Sequence, residues 1–151
     1  MRTTLIIKKR LKIKADKTAV WNALTNPNWP QQDMQGAEVI STWKIGAPVT
    51  WKSSSGDQPY LLQGEVLDII EGQYLQFTNV DRQVSGEPNF LVVTYTLHEE
   101  GRETELTSII ESVDGAVRKF SPGQYAWMNN LNTMKSLLEL AQADRGLATT
   151  L

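Results

Sequence analysis

The sequence contains no cysteine, and this absence removes several kinds of chemistry at once. Without thiols the chain has no disulfides, no cysteine nucleophile and no cysteine-based metal site. Histidine occurs once, as His98, so a nucleophilic triad built around a histidine base has little support. Neither a phosphate-binding loop nor a dinucleotide fingerprint occurs.

Strong net charge and long apolar runs are also missing. The formal net charge is −2, which gives no global attraction to nucleic acid or to an anionic membrane. Near the N-terminus the apolar run is only residues 5–7, too short for a signal-peptide core or a membrane span. We therefore expect a soluble, cytoplasmic protein with neither a nucleic-acid nor a membrane partner.

Basic residues cluster locally between positions 8 and 17, against this weak overall charge. The cluster has two interpretations, an anion-binding surface or the solvated face of an edge strand whose lysines discourage pairing with other chains. The acidic pI of about 5.4 favours the second.

The long C-terminal helix predicted over residues 121–145 is the element around which the chain is organised. Ser121, Pro122 and Gln124 form the pattern of an N-cap, a first-turn proline and a capping box, and Gly146 is a candidate C-terminal stop. Apolar residues recur along one stripe at helical spacing: Trp127, Leu131, Met134, Leu138 and Ala141.

The rest of the chain predicts a first strand, a short helix and then six more strands. The first strand covers residues 3–14, and Asp16 caps a helix over 17–25. One more helical turn is predicted near 31–34. The later strands are predicted at 37–43, 49–53, 61–70, 73–80, 90–97 and 103–112, with short turns that make neighbours antiparallel.

These elements predict an α+β helix-grip fold in a single domain, residues 1–151. A curved antiparallel sheet of about seven strands wraps around the C-terminal helix, with short helices between the first two strands. Because one helix rarely fills the groove of such a sheet, we expect a cavity between them.

Several segments resemble the START-like (SRPBCC) superfamily, and more narrowly the homologues of the activator of the heat-shock-protein-90 ATPase. They are the helical segment 15–27, the segment 38–51 with its Trp–Gly–Trp pattern, Tyr60 together with residues 64–66, the strand pair 93–97 and 104–107, and the helical segment 127–131. The resemblance covers nearly the whole chain. It implies a hydrophobic cavity in a family of lipid, hormone and polyketide binders, cyclases and co-chaperone domains.

We expect the domain to bind a small hydrophobic molecule in that cavity, without a metal or other cofactor. The alternatives are a co-chaperone-like domain with a chaperone partner or, less favoured, a cyclase or hydrolase. Aromatic and apolar side chains that can form the cavity wall are the candidate ligand-binding residues: Trp29, Trp43, Trp51, Tyr60, Phe77, Phe90, Tyr95, Trp127, Leu131, Met134 and Leu138.

Few polar residues are candidates for the cavity lining or for catalysis. Gln124 and Asn130 lie at the edges of the helix stripe, where an exposed flank position is the favoured interpretation over a polar group inside the cavity. His98 and the nearby glutamates fall at a hairpin end, so no catalytic residue is predicted and enzymatic activity is not expected. We expect a monomer or a weak homodimer, and an exposed patch of Leu140, Leu147 and Leu151 is the candidate dimer contact.

Overall fold

Seven strands and two helices make up the described part of the chain, which in this computed structural model comprises residues 6–26, 38–53, 59–82, 89–112 and 120–150. The elements in chain order are β1 (Ile6–Ile13), α1 (Lys17–Thr25), β2 (Glu38–Ile40), β3 (Pro48–Ser53), β4 (Tyr60–Ile70), β5 (Tyr74–Asp81), β6 (Asn89–Glu100), β7 (Glu103–Ser112) and α2 (Pro122–Thr150). No helix within these ranges is both long enough and apolar enough to span a lipid bilayer.

The strands form one antiparallel sheet in the order β1-β7-β6-β5-β4-β3-β2. Strands β2 to β7 follow one another as a meander because the connections between them are short. The first strand pairs with the last, with Ile13 opposite Thr104. The predicted α+β helix-grip architecture is confirmed, with α2 lying against the concave face of a curved sheet.

Strands β4 and β5 approach each other closely at Gly64. A Cβ atom at this position would lie 1.8 Å from the carbonyl oxygen of Thr78, which leaves space for glycine only. The backbone N–H of the next residue, Glu65, donates to the Thr78 hydroxyl over 2.9 Å. A register shift between Val66 and Asp68 adds to the distortion, as β-bulges do in curved sheets.

The first turn of α2 is fastened by the predicted capping box. The Gln124 backbone N–H donates to Ser121 Oγ, and the Ser121 backbone N–H donates to Gln124 Oε1, both over 3.1 Å. Ser121 Oγ also donates to Asp81 Oδ2 over 2.6 Å, which ties the helix to the end of β5. A carboxylate at a helix N-terminus is stabilised by the helix dipole.

Gly123, in the same turn, lets the helix backbone approach β4 closely. A Cβ atom there would lie 2.7 Å from Cβ of Tyr60, closer than packed side chains allow. The helix therefore lies directly on the strand that carries Tyr60 at this end.

The core lies between the concave face of the sheet, α2 and α1. Four residues of the predicted α2 stripe, Trp127, Leu131, Met134 and Leu138, are buried, whereas Ala141 is exposed. On the sheet, alternation places Leu91, Val93, Tyr95 and Leu97 of β6 on the concave side, and all four are buried.

Three local predictions need correction or lie outside the described residues. Of the strand predicted over 37–43, the described residues 38–43 include strand only at Glu38–Ile40, and Trp43 cannot extend it because its φ of 58° is left-handed. The helix does not stop at Gly146 but continues to Thr150, since glycine is tolerated within a helix at a cost of about 1 kcal/mol. The turn predicted at 31–34 lies outside the described ranges.

We expect Ser121→Ala to lower the free energy of unfolding by about 1–3 kcal/mol, because it removes both the helix cap and the hydrogen bond to Asp81. Urea unfolding measures the change. Ser136→Ala is the matched control, since Ser136 is exposed within the same helix and alanine there costs nothing. Equal stability of the two variants would contradict this account of how α2 is anchored.

Candidate functional site

A cavity lies beneath the middle of α2, between that helix, the concave face of the sheet and the end of α1. The space open to the centres of water-sized atoms is about 70 Å³, enough for several waters or a small organic group. The lining residues come from seven elements and the β2–β3 connection: Ala23, Leu24, Glu38, Val39, Trp43, Trp51, Tyr60, Leu75, Phe77, Tyr95, Trp127, Asn130, Leu131 and Met134.

Solvent exposure separates the floor of the cavity from its mouth. Leu75 and Phe77 are each 1% exposed and form the floor. Leu24, Trp43 and Asn130 are partly exposed and form the mouth, together with Glu38. The mouth therefore opens where α1, β2 and the middle of α2 converge.

Three aromatic rings pack against one another and form the wall between the sheet and α2. The ring of Trp51 lies 5.0 Å from that of Phe77 and 5.9 Å from that of Trp127, centroid to centroid. Phe77 also packs edge-on against Tyr95 at 5.3 Å. Tilted and edge-on contacts of this kind are the favoured geometries for aromatic pairs, so these contacts stabilise the wall.

Tyr60 places a hydroxyl in the cavity and is held there by α2. The Asn130 side-chain amide donates to the Tyr60 hydroxyl oxygen over 2.8 Å. Burial raises the pKa of Tyr60 to about 12, and the hydrogen bond from Asn130 opposes part of that rise. The phenol stays protonated at neutral pH and retains its own O–H as a donor.

Tyr95 supplies a second hydroxyl. Burial raises its pKa above the ordinary tyrosine value, and repulsion from the nearby Tyr60 raises the pKa further. Unlike that of Tyr60, the Tyr95 hydroxyl makes no hydrogen bond to any residue in the described part of the chain. It touches open space, since the one fully enclosed side-chain polar atom without a partner in those ranges is Nδ2 of Asn79.

Charge at the cavity is confined to the mouth. Glu38 forms an ion pair with Lys52 over 3.2 Å, where the Lys52 side chain is half exposed. Among the described residues, the lining contains no lysine, arginine or histidine. The interior is therefore apolar apart from the hydroxyls of Tyr60 and Tyr95 and the amide of Asn130.

Trp43 holds the mouth in shape by an unusual backbone conformation. Its φ of 58° is rare for a bulky residue and costs about 1–3 kcal/mol. The indole N–H donates to the carbonyl of Thr25 over 2.8 Å, and the backbone N–H donates to Ser41 Oγ over 3.0 Å. The first of these bonds satisfies a carbonyl at the end of α1, so the strained residue connects that helix to the β2–β3 connection.

The structure brings together eight of the eleven residues predicted for the cavity wall. They are Trp43, Trp51, Tyr60, Phe77, Tyr95, Trp127, Leu131 and Met134. Leu138 is buried but lies beyond the cavity along α2, and Trp29 is outside the described residues. Phe90 does not line the cavity, being 39% exposed on the opposite face of β6 from Tyr95.

Other lining residues were not predicted, and two polar positions were misjudged. Ala23 and Leu24 were missed because α1 was not expected to form a wall. Asn130 is partly exposed and lines the mouth of the cavity. Gln124 is fully buried, with its side-chain amide donating to Asn79 Oδ1 over 3.3 Å.

The residues considered for catalysis lie away from the cavity. His98 is on the outer face of β6 at the end of the hairpin, where it is largely exposed beside Glu100. Within the described ranges no group of three or more histidine or acidic side chains is arranged to hold a metal ion.

The sequence was compared with protein-family models, and one match spans most of the chain. Residues 14–139 match the family described as "Activator of Hsp90 ATPase homolog 1-like protein". The chain belongs to this family. The predicted membership of the START-like superfamily, and of this branch of it, is confirmed.

Solved structures agree in fold. ChR145 from Cytophaga hutchinsonii is 28% identical, with a TM-score of 0.67 over 96% of this chain and 98% of that one. An HSP90 activator from Plasmodium falciparum, PFC0360w, is 12% identical, with a TM-score of 0.63 over 84% and 87% of the two chains. Ginseng major latex-like protein 151 from Panax ginseng is 16% identical, with a TM-score of 0.64 over 91% and 97%.

At these last two identities the likeness concerns the fold alone. A search of the curated proteins gave no match. The family is therefore known from the sequence match, whereas the role of the cavity has to be argued from its own residues.

We predict that Tyr60 makes the stability of the domain fall between about pH 10 and pH 12. Above pH 10 the unfolded chain loses the phenol proton while the folded chain keeps it, so unfolding becomes easier as pH rises through this window. By pH 12 the loss is about 2–3 kcal/mol, at 1.36 kcal/mol for each unit of pKa difference.

Urea unfolding between pH 8 and pH 12 tests this by comparing the wild type with Tyr60→Phe. The variant should show a shallower decline, whereas Tyr125→Phe, at an exposed position on α2, should follow the wild type. Parallel curves for the wild type and Tyr60→Phe would contradict the assignment of Tyr60 as a buried, neutral phenol.

Proposed function

We propose that this domain binds a small, mainly apolar molecule in the cavity beneath α2. The observation that carries the proposal is the composition of the lining, in which six aromatic side chains and several aliphatic ones surround only a few placed polar groups. Ligand sites in proteins have this composition, because apolar walls provide affinity and a few polar groups fix orientation.

The size of the cavity limits the ligand. At about 70 Å³ the enclosed space is roughly half the 150 Å³ of an engineered cavity that admits benzene. A ligand of ten or more non-hydrogen atoms therefore extends through the mouth, past Leu24 and Trp43. A flat ring system or a short chain fits this shape better than a bulky sterol.

The described part of the lining includes no basic residue, and this limits the charge of the ligand. Lys52, beside the mouth, is already paired with the carboxylate of Glu38, so an anionic group would enter without an unpaired cation among these residues. We therefore infer a ligand that carries no negative charge in the part that enters the cavity.

The test is a thermal-shift and native mass-spectrometry screen against lipids, flavonoids and polyketides. A ligand present at 100 times its Kd stabilises the folded state by about 2.7 kcal/mol, which for a domain of this size raises Tm by about 5–10 °C. Native mass spectrometry should show one ligand per chain.

Met134→Trp should abolish the shift, because Met134 lines the cavity and the larger side chain fills it. Leu140→Trp is the matched control, since it introduces the same residue on the same helix at a position that is 60% exposed. A shift that persists in Met134→Trp, or the lack of any stabilising compound, would refute the proposal.

A second candidate function is contact with a heat-shock-protein-90 chaperone. The family description favours it, and so does the named role of the Plasmodium falciparum structure. The chaperone ATPase rate, measured with and without this protein, tests it, and an unchanged rate would reject it. Met134→Trp separates the two functions, because a buried substitution leaves an external contact surface intact.

A further inference from the structure

The hydroxyl of Tyr95 is an open hydrogen-bonding group at the inner end of an apolar cavity. Tyr95 is only 5% exposed, lines the cavity and has no hydrogen-bond partner in the described part of the chain. Because this hydroxyl touches open space, its O–H donor and its oxygen acceptor are available to a molecule that enters the cavity. A ligand that enters the cavity can supply the missing partner.

Tyr60 presents a second group whose direction of hydrogen bonding is already fixed. Asn130 donates to its oxygen, and the O–H proton of Tyr60 has no acceptor among the described residues. The Tyr60 O–H is therefore still able to donate a hydrogen bond to a molecule in the cavity. Tyr60 and Tyr95 both line this one cavity, so a single molecule bound in it can meet both side chains.

Taken with the proposed function, on which it rests, this arrangement leads us to propose that the hydroxyls of Tyr60 and Tyr95 bind one neutral carbonyl oxygen of the ligand. A carbonyl oxygen has two lone pairs and accepts two hydrogen bonds, one from each phenol. The ligand class is a flat, apolar ketone, quinone or lactone that enters with its carbonyl first. Its hydrocarbon part then lies between the aromatic wall and the mouth.

Other polar groups fit the same space less well. An ammonium group has no lone pair and cannot accept from the two phenol protons. A carboxylate would accept them but lacks a cation in the lining. A hydrocarbon would leave the Tyr95 hydroxyl without a partner.

The experiment compares four probes that share one ring system: 1-indanone, indane, 2-aminoindane and indane-2-carboxylate. Affinities are measured by ligand-observed NMR titration of the full-length protein. We expect 1-indanone to bind about tenfold more tightly than indane, as two net hydrogen bonds allow, and the two charged probes to bind more weakly than 1-indanone.

Two variants assign the effect to the hydroxyls. Tyr95→Phe and Tyr60→Phe should each weaken 1-indanone binding by about three- to tenfold and leave indane binding unchanged or slightly tighter. Tyr125→Phe, which removes a hydroxyl from an exposed position on α2, should have no effect on either probe. Thermal unfolding of each variant shows whether it is folded.

The hydrogen bond to the ligand carbonyl can also be observed directly by NMR. With 1-indanone labelled with ¹³C at the carbonyl carbon, hydrogen bonding to its oxygen moves the carbonyl resonance downfield in the bound state. We expect this shift in the wild type and a smaller one in Tyr95→Phe.

The outcomes separate the two proposals. If indane binds as tightly as 1-indanone and both phenylalanine variants bind both probes normally, the carbonyl site is refuted while a binding cavity remains. A preference for 2-aminoindane would likewise refute it, in favour of a cation held by the aromatic rings. If none of the four probes binds, the carbonyl site is refuted, whereas the proposed function fails only if the screen of lipids, flavonoids and polyketides also finds no stabilising compound.

Discussion

A straight helix cannot touch a curved sheet along its whole length, and the point at which the helix is fastened decides where the gap falls. In this domain α2 is fastened at its first turn, where Ser121 donates to Asp81 at the end of β5. Two turns later, Trp127 closes against the sheet aromatics. The cavity lies between the sheet and this part of the helix, and Trp127, Leu131 and Met134 line it. By Leu138 the helix is packed against core residues again.

The floor and the mouth of the cavity are stabilised by different interactions. The floor consists of close-packed rings whose burial stabilises the fold directly. The mouth instead contains a tryptophan in a left-handed conformation, held by hydrogen bonds to Thr25 and Ser41. Strain of this kind persists only where the surroundings fix it, and it is concentrated at functional sites. Its position at the opening agrees with a role in admitting or retaining a bound molecule.

Features that depend on local sequence were predictable. The bounds of α1 follow from the Asp16 cap, whose carboxylate accepts from the Ala19 backbone N–H over 2.8 Å, and the predicted and observed residues coincide. The start of α2 follows in the same way from its capping box. Both signals are contained within four residues, so no knowledge of the tertiary structure was needed.

Features that depend on distant residues were not predictable to the same degree. Gln124 was recognised as part of the cap, but its burial is caused by Asn79, 45 residues away. The early end of β2 comes from the conformation of Trp43, for which the sequence has no glycine or asparagine signal. The placement of β1 beside β7 likewise requires the pairing of the two ends of the chain.

Phe90 is a different case, because the sequence contained enough information to reject it. Phe90 and Tyr95 are separated by an odd number of positions on one strand, so they point to opposite faces. The two residues were nevertheless predicted for the same wall. Once Tyr95 is placed on the concave face, where it contacts Phe77, Phe90 has to face outward. Strict use of the alternation would have removed it from the predicted site.

The distribution of tryptophan has a practical consequence. Of the five tryptophans in the chain, Trp43, Trp51 and Trp127 line the cavity, at its mouth and along its wall. Indole emission depends on the polarity and hydration of its surroundings. Displacing water from this space changes those surroundings for most of the indoles at once. The domain therefore carries an intrinsic optical reporter of occupancy, readable in dilute solution without any label.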